Sequence, residues 1–469
     1  MSHRSLEDVL AAAESPVELL RNAQVGPNVY PGVPAEYSNW REEQRAWQET
    51  CVLFNQSFHM AELMVEGPDT KNLLQHLATN SFENFTPNKA KQFAPCTPYG
   101  YVIGDVILFH NEDGSMNLVG RAPTLNWVRY HAETGDWKVE TTYDERTALR
   151  TDGKRRHYRF QVQGPNAMQV LEKALGKKPA ELKFFNMRTE TIAGKTVCAL
   201  RHGMSGQPGW ELYGPWEDHD AVHEALVTAG EEFGMKLVGG RAYGSNALES
   251  AWIPSPLPAV YTGDELKAYR EWLPATGYEA NASLGGSFLS DNIEDYYTTP
   301  WDLGYGHLVK FDHDFIGREA LEKKAEEGGH RVKVTLALDD DEVTNVFHSF
   351  LQKDASARAK YFEWPNSVYC MHPFDAVLSD GEIIGLSTWI GYSANEGKML
   401  TLAMVQPEYS EPGTQVTLLW GEENGGTRKP TVEPHTQVEI GAVVAPAPYV
   451  EGVRAAYAPG SWRAAGKAS

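Results

Sequence analysis

Residues 51–71 read CVLFNQSFHMAELMVEGPDTK, an apolar run with strand-like alternation that ends at Gly67-Pro68 and gives way to Leu73, Leu74 and Leu77 at helical spacing. The phrase returns as Tyr158-Arg159-Phe160-Gln161-Val162-Gln163-Gly164-Pro165-Asn166, with a second helix predicted from Met168 to Leu175. Strand, Gly-Pro turn and helix thus occur twice. An internal repeat of this kind predicts two related α+β lobes, each an antiparallel sheet backed by helices. Between the copies, Tyr101 to His110 and Ser115 to Gly120 alternate as a hairpin turning at Asn111-Glu112-Asp113-Gly114.

Outward from this repeat the character changes on both sides. The N-terminal stretch, MSHRSLEDVLAAAESPVELLRN, reads as short amphipathic helices interrupted near Pro16, without the basic, apolar, small-residue order of a signal peptide. After about residue 325 short strands dominate, namely Val332 to Leu338, Ala376 to Leu378, Ile383 to Leu386, Met399 to Val405, Gln415 to Trp420 and Gln437 to Val444, broken by Gly and Pro turns. They predict a separate all-β barrel or sandwich. The expected layout is a helical segment over 1–45, a first lobe over 46–150, a second over 151–324 and a β domain over 325–469.

A chain of 469 residues has room for two to three cores. No apolar run is long enough to cross a bilayer, and the predicted location is cytoplasmic. Cys51, Cys96, Cys198 and Cys370 lack C-x-x-C spacing, which argues against a disulfide framework or a zinc knuckle. A net charge of −21 argues against a nucleic-acid partner, so an anionic ligand must be met by a local cation. The acidic run Leu338 to Glu342 reads as a charged turn. The stretch Gly421 to Lys429 lacks the G-x-x-x-x-G-K-[ST] order of a phosphate loop and reads as a hairpin turn. His219 and His223 share a helix face, but Asp220 stands where a zincin has Glu and no third ligand is evident; no metal site is predicted. No G-x-S-x-G elbow and no G-x-G-x-x-G fingerprint is present.

Three features invite chemistry. Arg121 follows the apolar strand Asn117-Leu118-Val119-Gly120 and precedes Ala-Pro, so a planar guanidinium suited to a carboxylate stands at a strand end among small neighbours. A structural salt bridge is the other reading. Gln56 and His59 interrupt an apolar strand, either as ligand-binding groups or as a hydrogen-bonded structural pair. Tyr243 lies where Gly239-Gly240-Arg241-Ala242 enters a helix, as a reactive hydroxyl or as a packing ring.

These segments resemble the aminomethyltransferase (glycine-cleavage T-protein) superfamily. The resemblance is carried by Leu53-Phe54-Asn55-Gln56-Ser57-Phe58-His59-Met60 with Gly67-Pro68-Asp69, by Gln163-Gly164-Pro165, by Gly206-Gln207-Pro208-Gly209-Trp210-Glu211-Leu212, by Gly240-Arg241 through Glu249, and by Asp314-Phe315-Ile316-Gly317-Arg318-Glu319-Ala320-Leu321. Within it the chain is similar to the vanillate/3-O-methylgallate O-demethylases, through Ser38-Asn39-Trp40-Arg41, Pro98-Tyr99-Gly100, Val102-Ile103-Gly104-Asp105, Val119-Gly120-Arg121-Ala122-Pro123, Trp252-Ile253-Pro254-Ser255-Pro256-Leu257-Pro258 and Trp420-Gly421 through Lys429. It departs from T-proteins where their paired Asp-Asp is reduced to Gly104-Asp105, which implies different chemistry from aminomethyl transfer. The K-G-C-Y-x-G-Q motif of the iron-sulfur-repair relatives is absent.

The resemblance implies two ferredoxin-like lobes enclosing tetrahydrofolate, plus a C-terminal β-barrel. It implies transfer of a methyl group from a methoxylated aromatic acid, vanillate or 3-O-methylgallate, to tetrahydrofolate, with syringate as a close variant. Tyr243 is then the proton donor, Arg121 with Tyr30 holds the carboxylate, and Gln56 and His59 hold the phenolic oxygen or ring edge. Gln92, Val119, Gln161, Glu211 and Trp252 match positions around the cofactor, with Glu211 accepting from the pterin. A folate-dependent demethylase of a sulfonium or N-methyl amine, or a non-catalytic folate-binding protein, are the alternatives.

Overall fold

The computed structural model describes residues 4–150, 155–254, 256–354, 357–423, 428–458 and 461. Two short helices, α1 (Leu6–Ala12) and α2 (Pro16–Asn22), open the chain, and Ser5 and Ser15 cap them by accepting the Asp8 and Glu18 backbone N–H groups. An irregular strap follows before α3 (Trp40–Glu49), capped in the same way by Asn39.

The stretch that reads as one strand is two, β1 (Cys51–Asn55) and β2 (Ala61–Glu66). The break has a local cause: the Asn55 side-chain oxygen accepts the Ser57 N–H at 3.2 Å, an Asx turn that ends the ladder. Consequently β1 and β2 join different sheets. A five-stranded antiparallel sheet has the order β3-β4-β5-β2-β6, with β3 (Lys89–Phe93), β4 (Val106–His110), β5 (Met116–Gly120) and β6 (Glu140–Asp144). A six-stranded sheet has the order β11-β1-β7-β10-β9-β8, with β7 (His157–Gln163), β8 (Met187–Ile192), β9 (Lys195–Arg201), β10 (Gly209–Pro215) and β11 (Met235–Val238). Strand β4 starts later than the alternation predicts because Val102 and Ile103 donate instead to Thr298 and Pro95 carbonyls.

The predicted repeat is visible in the backbone. Strand β2 passes through Gly67 into α4 (Thr70–Leu77), and β7 passes through Gly164 into α6 (Ala167–Leu175); the two glycines sit at φ 130° and 128°. A side chain at Gly164 would meet the Cys51 backbone at 2.6 Å, so the turn requires glycine on both counts.

The unbroken apolar run of β1 follows from burial on both faces. Cys51 and Leu53 pack with Phe160, Val170 and Leu226, whereas Val52 and Phe54 pack with Trp40, Trp47 and Ala242. Each such side chain contributes about 1.5–3 kcal/mol of burial free energy. The second of these layers comprises α3 and α8 (Gly240–Ser250); α6 and α7 (His219–Gly230) cover the first face. His219 and His223 lie at the start of α7 with their rings stacked 5.9 Å apart. The two sheets meet through Ala90, Phe109 and Val119 from the first and Met187, Leu200 and Tyr213 from the second.

A short parallel ladder of β12 (Leu284–Gly285) and β14 (His372–Pro373) ties the connecting region to the last domain. There β13 (Val332–Leu338), β15 (Asp375–Ser379), β16 (Glu382–Ser393), β17 (Lys398–Val405), β18 (Gln415–Trp420) and β19 (Val438–Ala445) form a closed barrel, ordered β13-β17-β16-β15-β18-β19. The barrel rather than the sandwich results because β13 pairs with both β17 and β19, leaving no edge. The acidic run after β13 is a helix start, with Asp339 accepting the Glu342 N–H at 3.0 Å. Within the loop between β18 and β19, residues 424–427 lie outside the described residues, as does Ser255. No helix among the described residues is long and apolar enough to cross a membrane. The architecture is α+β, two sheets with their helices and a C-terminal β-barrel.

Candidate functional site

Past the end of β1 the Gln56 N–H still donates to the Arg159 carbonyl of β7 at 2.9 Å, while the side chains of Gln56 and His59 meet two other segments. One is the strap before α3, which carries Tyr30; the other is the first turn of α8, which carries Tyr243. The three rings close on one another, with centroids 4.9 Å apart for Tyr30 and His59, 4.6 Å for Tyr30 and Tyr243, and 4.9 Å for His59 and Tyr243. Phe54 backs Tyr243 edge-on at 5.3 Å. Residues separated by more than two hundred positions thus form one wall of side chains.

The polarity of this wall is specific. The Gln56 side-chain amide donates to the Tyr243 hydroxyl oxygen at 3.1 Å, and no described residue accepts the Tyr243 proton in turn. Gln56 Oε1 is buried without a partner. A hydroxyl whose oxygen is held by one donor and whose proton has no acceptor is a donor awaiting an oxygen. Burial and the neighbouring Tyr30 raise the Tyr243 pKa further above the ordinary tyrosine value, so the group is protonated at neutral pH.

Arg121 stands where β5 ends and α5 (Ala122–Thr134) begins. Among the described residues its guanidinium makes no side-chain hydrogen bond or ion pair, which sets aside the structural salt bridge. Its charge nevertheless bears on Tyr30, His59, Tyr243 and Asp105 together. A cation with aromatic neighbours and no internal partner suits an external anion such as a carboxylate.

Burial, with Arg121 and Arg155 nearby, lowers the His59 pKa from 6.5 to about 3, so the imidazole is neutral at pH 7. The unfolded chain takes up this proton more readily than the native one. Stability from this residue is therefore complete above about pH 6.5 and declines as pH falls toward 3. His59→Asn is expected to flatten that part of the stability curve by up to about 1.4 kcal/mol per pH unit. Denaturant titrations across this range measure it, and an unchanged slope would show that His59 is not held neutral.

The residues assigned to the cofactor fall into two patches. In the six-stranded sheet, Gln161 on β7 lies opposite Glu211 on β10, and its amide donates to the His202 carbonyl at 3.0 Å. Glu211 is buried; one oxygen accepts from Arg159 at 2.9 Å, while the other lies 3.8 Å from His202 Nδ1, beyond hydrogen-bond reach. In the five-stranded sheet, Val119 is buried on the face toward the second lobe. Gln92 and Trp252, by contrast, turn their N–H groups onto Asp105, at 2.6 and 3.1 Å, where the Tyr305 hydroxyl also donates at 3.2 Å. All three donors share Asp105 Oδ2.

Asp105, Tyr305 and Arg159 were not singled out as site residues by the sequence. Asp105 had a signal in Gly104-Asp105, and Arg159 had one as a charge inside an apolar strand; Tyr305 had none. These groups fit a folate. The Glu211 oxygen that takes no hydrogen bond suits a heterocycle edge bearing amide and amino N–H groups, and in the other patch the Trp252 indole, 41% exposed, offers a flat apolar surface.

Residues 20–254 match the family described as the GCVT N-terminal domain. The chain is 63% identical over 460 residues to a syringate O-demethylase from Sphingobium sp., covering 98% of this chain and 99% of that protein. It is 28% identical to a sesamin methylene transferase from Sinomonas sp., over 83% of this chain and 86% of that protein. Among solved structures it is similar to the glycine cleavage system aminomethyltransferase T of Bartonella henselae, with a TM-score of 0.60, 18% identity, and coverage of 93% of this chain and 98% of that one, a likeness of fold. The chain belongs to the GCVT aminomethyltransferase superfamily, and within it to the methyltransferases that use tetrahydrofolate.

Proposed function

We propose that the protein removes the O-methyl group of a methoxylated benzoate and transfers it to tetrahydrofolate, releasing the corresponding phenol. The observation that carries this reading is the Tyr243 hydroxyl, which accepts from Gln56 at 3.1 Å, keeps its own proton, and feels the charge of Arg121, a cation with no side-chain partner among the described residues. The 63% identity to a syringate O-demethylase supports an aromatic ether as substrate, with syringate, vanillate and 3-O-methylgallate as the candidates.

Breaking an aryl ether leaves negative charge on a phenolic oxygen, a poor leaving group unless it receives a proton. Tyr243 donates that proton, directly or through a water, and Gln56 fixes its oxygen. Arg121, with Tyr30 beside it, anchors the carboxylate, and neutral His59 with Gln56 borders the phenolic oxygen. Glu211 and Gln161 hold the pterin edge, Val119 forms part of the floor, and Trp252 and Gln92 border it from the Asp105 side. When bound, tetrahydrofolate supplies the N5 nucleophile that takes the methyl group. The protein's task is to align donor and acceptor at about 3–3.5 Å, which replaces a two-body encounter with an oriented one.

Purified protein incubated anaerobically with tetrahydrofolate and each of syringate, vanillate and 3-O-methylgallate should yield 5-methyltetrahydrofolate and the demethylated acid in equal amounts, and neither without folate. If folate binds but none of the three acids is demethylated, the aromatic-ether reading falls, and sulfonium or N-methyl amine substrates, or folate binding without catalysis, take its place. The ranking of the three acids turns on one methoxy or hydroxyl group, worth about 1–3 kcal/mol in an apolar pocket.

A further inference from the structure

Arg159 is the most deeply placed cation near the site, 1% exposed on β7, and it connects the two lobes. Its Nε donates to Glu62 Oε1 on β2 of the five-stranded sheet at 2.8 Å. One terminal nitrogen donates to Glu211 Oε1 on β10 of the six-stranded sheet at 2.9 Å, and the other is buried without a partner. The guanidinium also packs 4.7 Å from the Phe109 ring and 4.5 Å from the Tyr213 ring, one ring from each lobe.

The two carboxylates are not equivalent. Glu62 is saturated: its second oxygen takes the Asn117 amide at 3.0 Å and His157 Nδ1 at 2.8 Å. Glu211 has only Arg159 on one oxygen, and its second oxygen takes no hydrogen bond, with His202 Nδ1 3.8 Å away. A purely structural bridge between lobes would leave no acceptor over, whereas Glu211 Oε2, on a residue 6% exposed, takes no hydrogen bond and is free to meet a ligand. We infer that Arg159 is a positioning residue, anchored by Glu62 across the lobe interface, that holds the Glu211 carboxylate in place as the acceptor for the pterin edge. The inference rests on Glu211 binding the folate, as proposed above.

The electrostatics agree with this division. Although burial opposes it, Arg159 and His157 hold Glu62 well below the usual carboxylate range. Burial raises the Glu211 pKa, with Arg159 opposing and Glu62 adding to the rise. The other groups facing Glu211 are His202 after β9, Cys198 on β9, Tyr213 on β10 and Tyr243 on α8. Removing the one close cation therefore makes Glu211 harder to ionise, and a protonated Glu211 is a poorer acceptor for N–H groups.

The test is anaerobic calorimetric titration of the full-length protein with tetrahydrofolate at a series of pH values. In the parent protein affinity should weaken on the acid side as Glu211 takes up a proton. Arg159→Met should move that limb upward by about 1–3 pH units, with neutral-pH affinity reduced about tenfold or more and recovered at higher pH. Glu62→Gln, close in shape, removes a like charge and should move the limb downward, and it carries the test if Arg159→Met does not fold. If these variants lose thermal stability but leave the limb where it was, Arg159 is only a staple between lobes and the inference is overturned. Glu211→Gln separates the two levels: unchanged affinity and pH dependence there would remove the folate reading of Glu211 itself. Loss of affinity in Glu211→Gln, with no limb shift in the Arg159 and Glu62 variants, would overturn the Arg159 inference alone.

Discussion

Tyr243→Phe is expected to lower kcat by about 10²- to 10⁴-fold, the range a positioned general acid contributes. The KM for the aromatic acid and the Kd for tetrahydrofolate should change little. The substitution removes one oxygen and leaves the ring, whose contacts with Tyr30, His59 and Phe54 all run through its carbon edges and faces. Loss confined to kcat identifies a group whose interaction develops in the transition state. Steady-state kinetics with the preferred acid decide the matter, and an unaltered kcat would remove Tyr243 as the donor. Because burial and Tyr30 raise its pKa, the parent enzyme should lose no activity to Tyr243 ionisation at neutral pH.

Arg121→Leu is expected to raise KM for a methoxylated benzoate by about 10- to 200-fold, the equivalent of about 1.5–3 kcal/mol for a hydrogen bond to a charged group. Guaiacol, which has the methoxy and hydroxyl groups but no carboxylate, should bind both proteins about equally. The discrimination follows from the observation that no described residue competes for the Arg121 guanidinium, so an arriving carboxylate displaces no internal partner. Leucine retains apolar bulk at the start of α5, where Arg121 caps the helix without a side-chain hydrogen bond. An equal loss for acid and neutral substrate would mean that Arg121 shapes the pocket without pairing with the carboxylate.

Both residues show how far the one-dimensional reading reaches. Arg121 after a strand and before Ala-Pro was visible as a cation at a strand end, but by itself that pattern favoured a structural salt bridge, because a sequence does not show which acids lie nearby. Tyr243 was visible as a tyrosine entering a helix, and only the Gln56 amide at 3.1 Å gives its hydroxyl a direction. The family phrases narrowed these choices, and the fold brought Tyr30, Gln56, His59 and Tyr243 to one wall. Asp105, by contrast, was read mainly as a departure from the T-protein pattern. In the fold it is the common acceptor for Gln92, Trp252 and Tyr305, which belong to three separate stretches of chain.

The sequence by itself determined the elements that depend on near neighbours. These are the doubled strand, Gly-Pro turn and helix, whose glycines are required by matching positive φ, the hairpin turn at Asn111 to Gly114, and the late strands whose alternation marks a β domain. Local periodicity and turn chemistry act over a few residues, so they are legible in one dimension. Tertiary structure decided which sheet each strand joined. The Asn55 turn sends β1 into the six-stranded sheet and β2 into the other, and β13 closes the barrel by pairing on both sides. Tertiary structure also decided the partners of the buried charges. Arg159 reaches Glu62, 97 residues away, and Glu211, 52 residues away, because desolvation makes an unpaired buried charge unfavourable and the folded chain alone determines which opposite charge lies within reach.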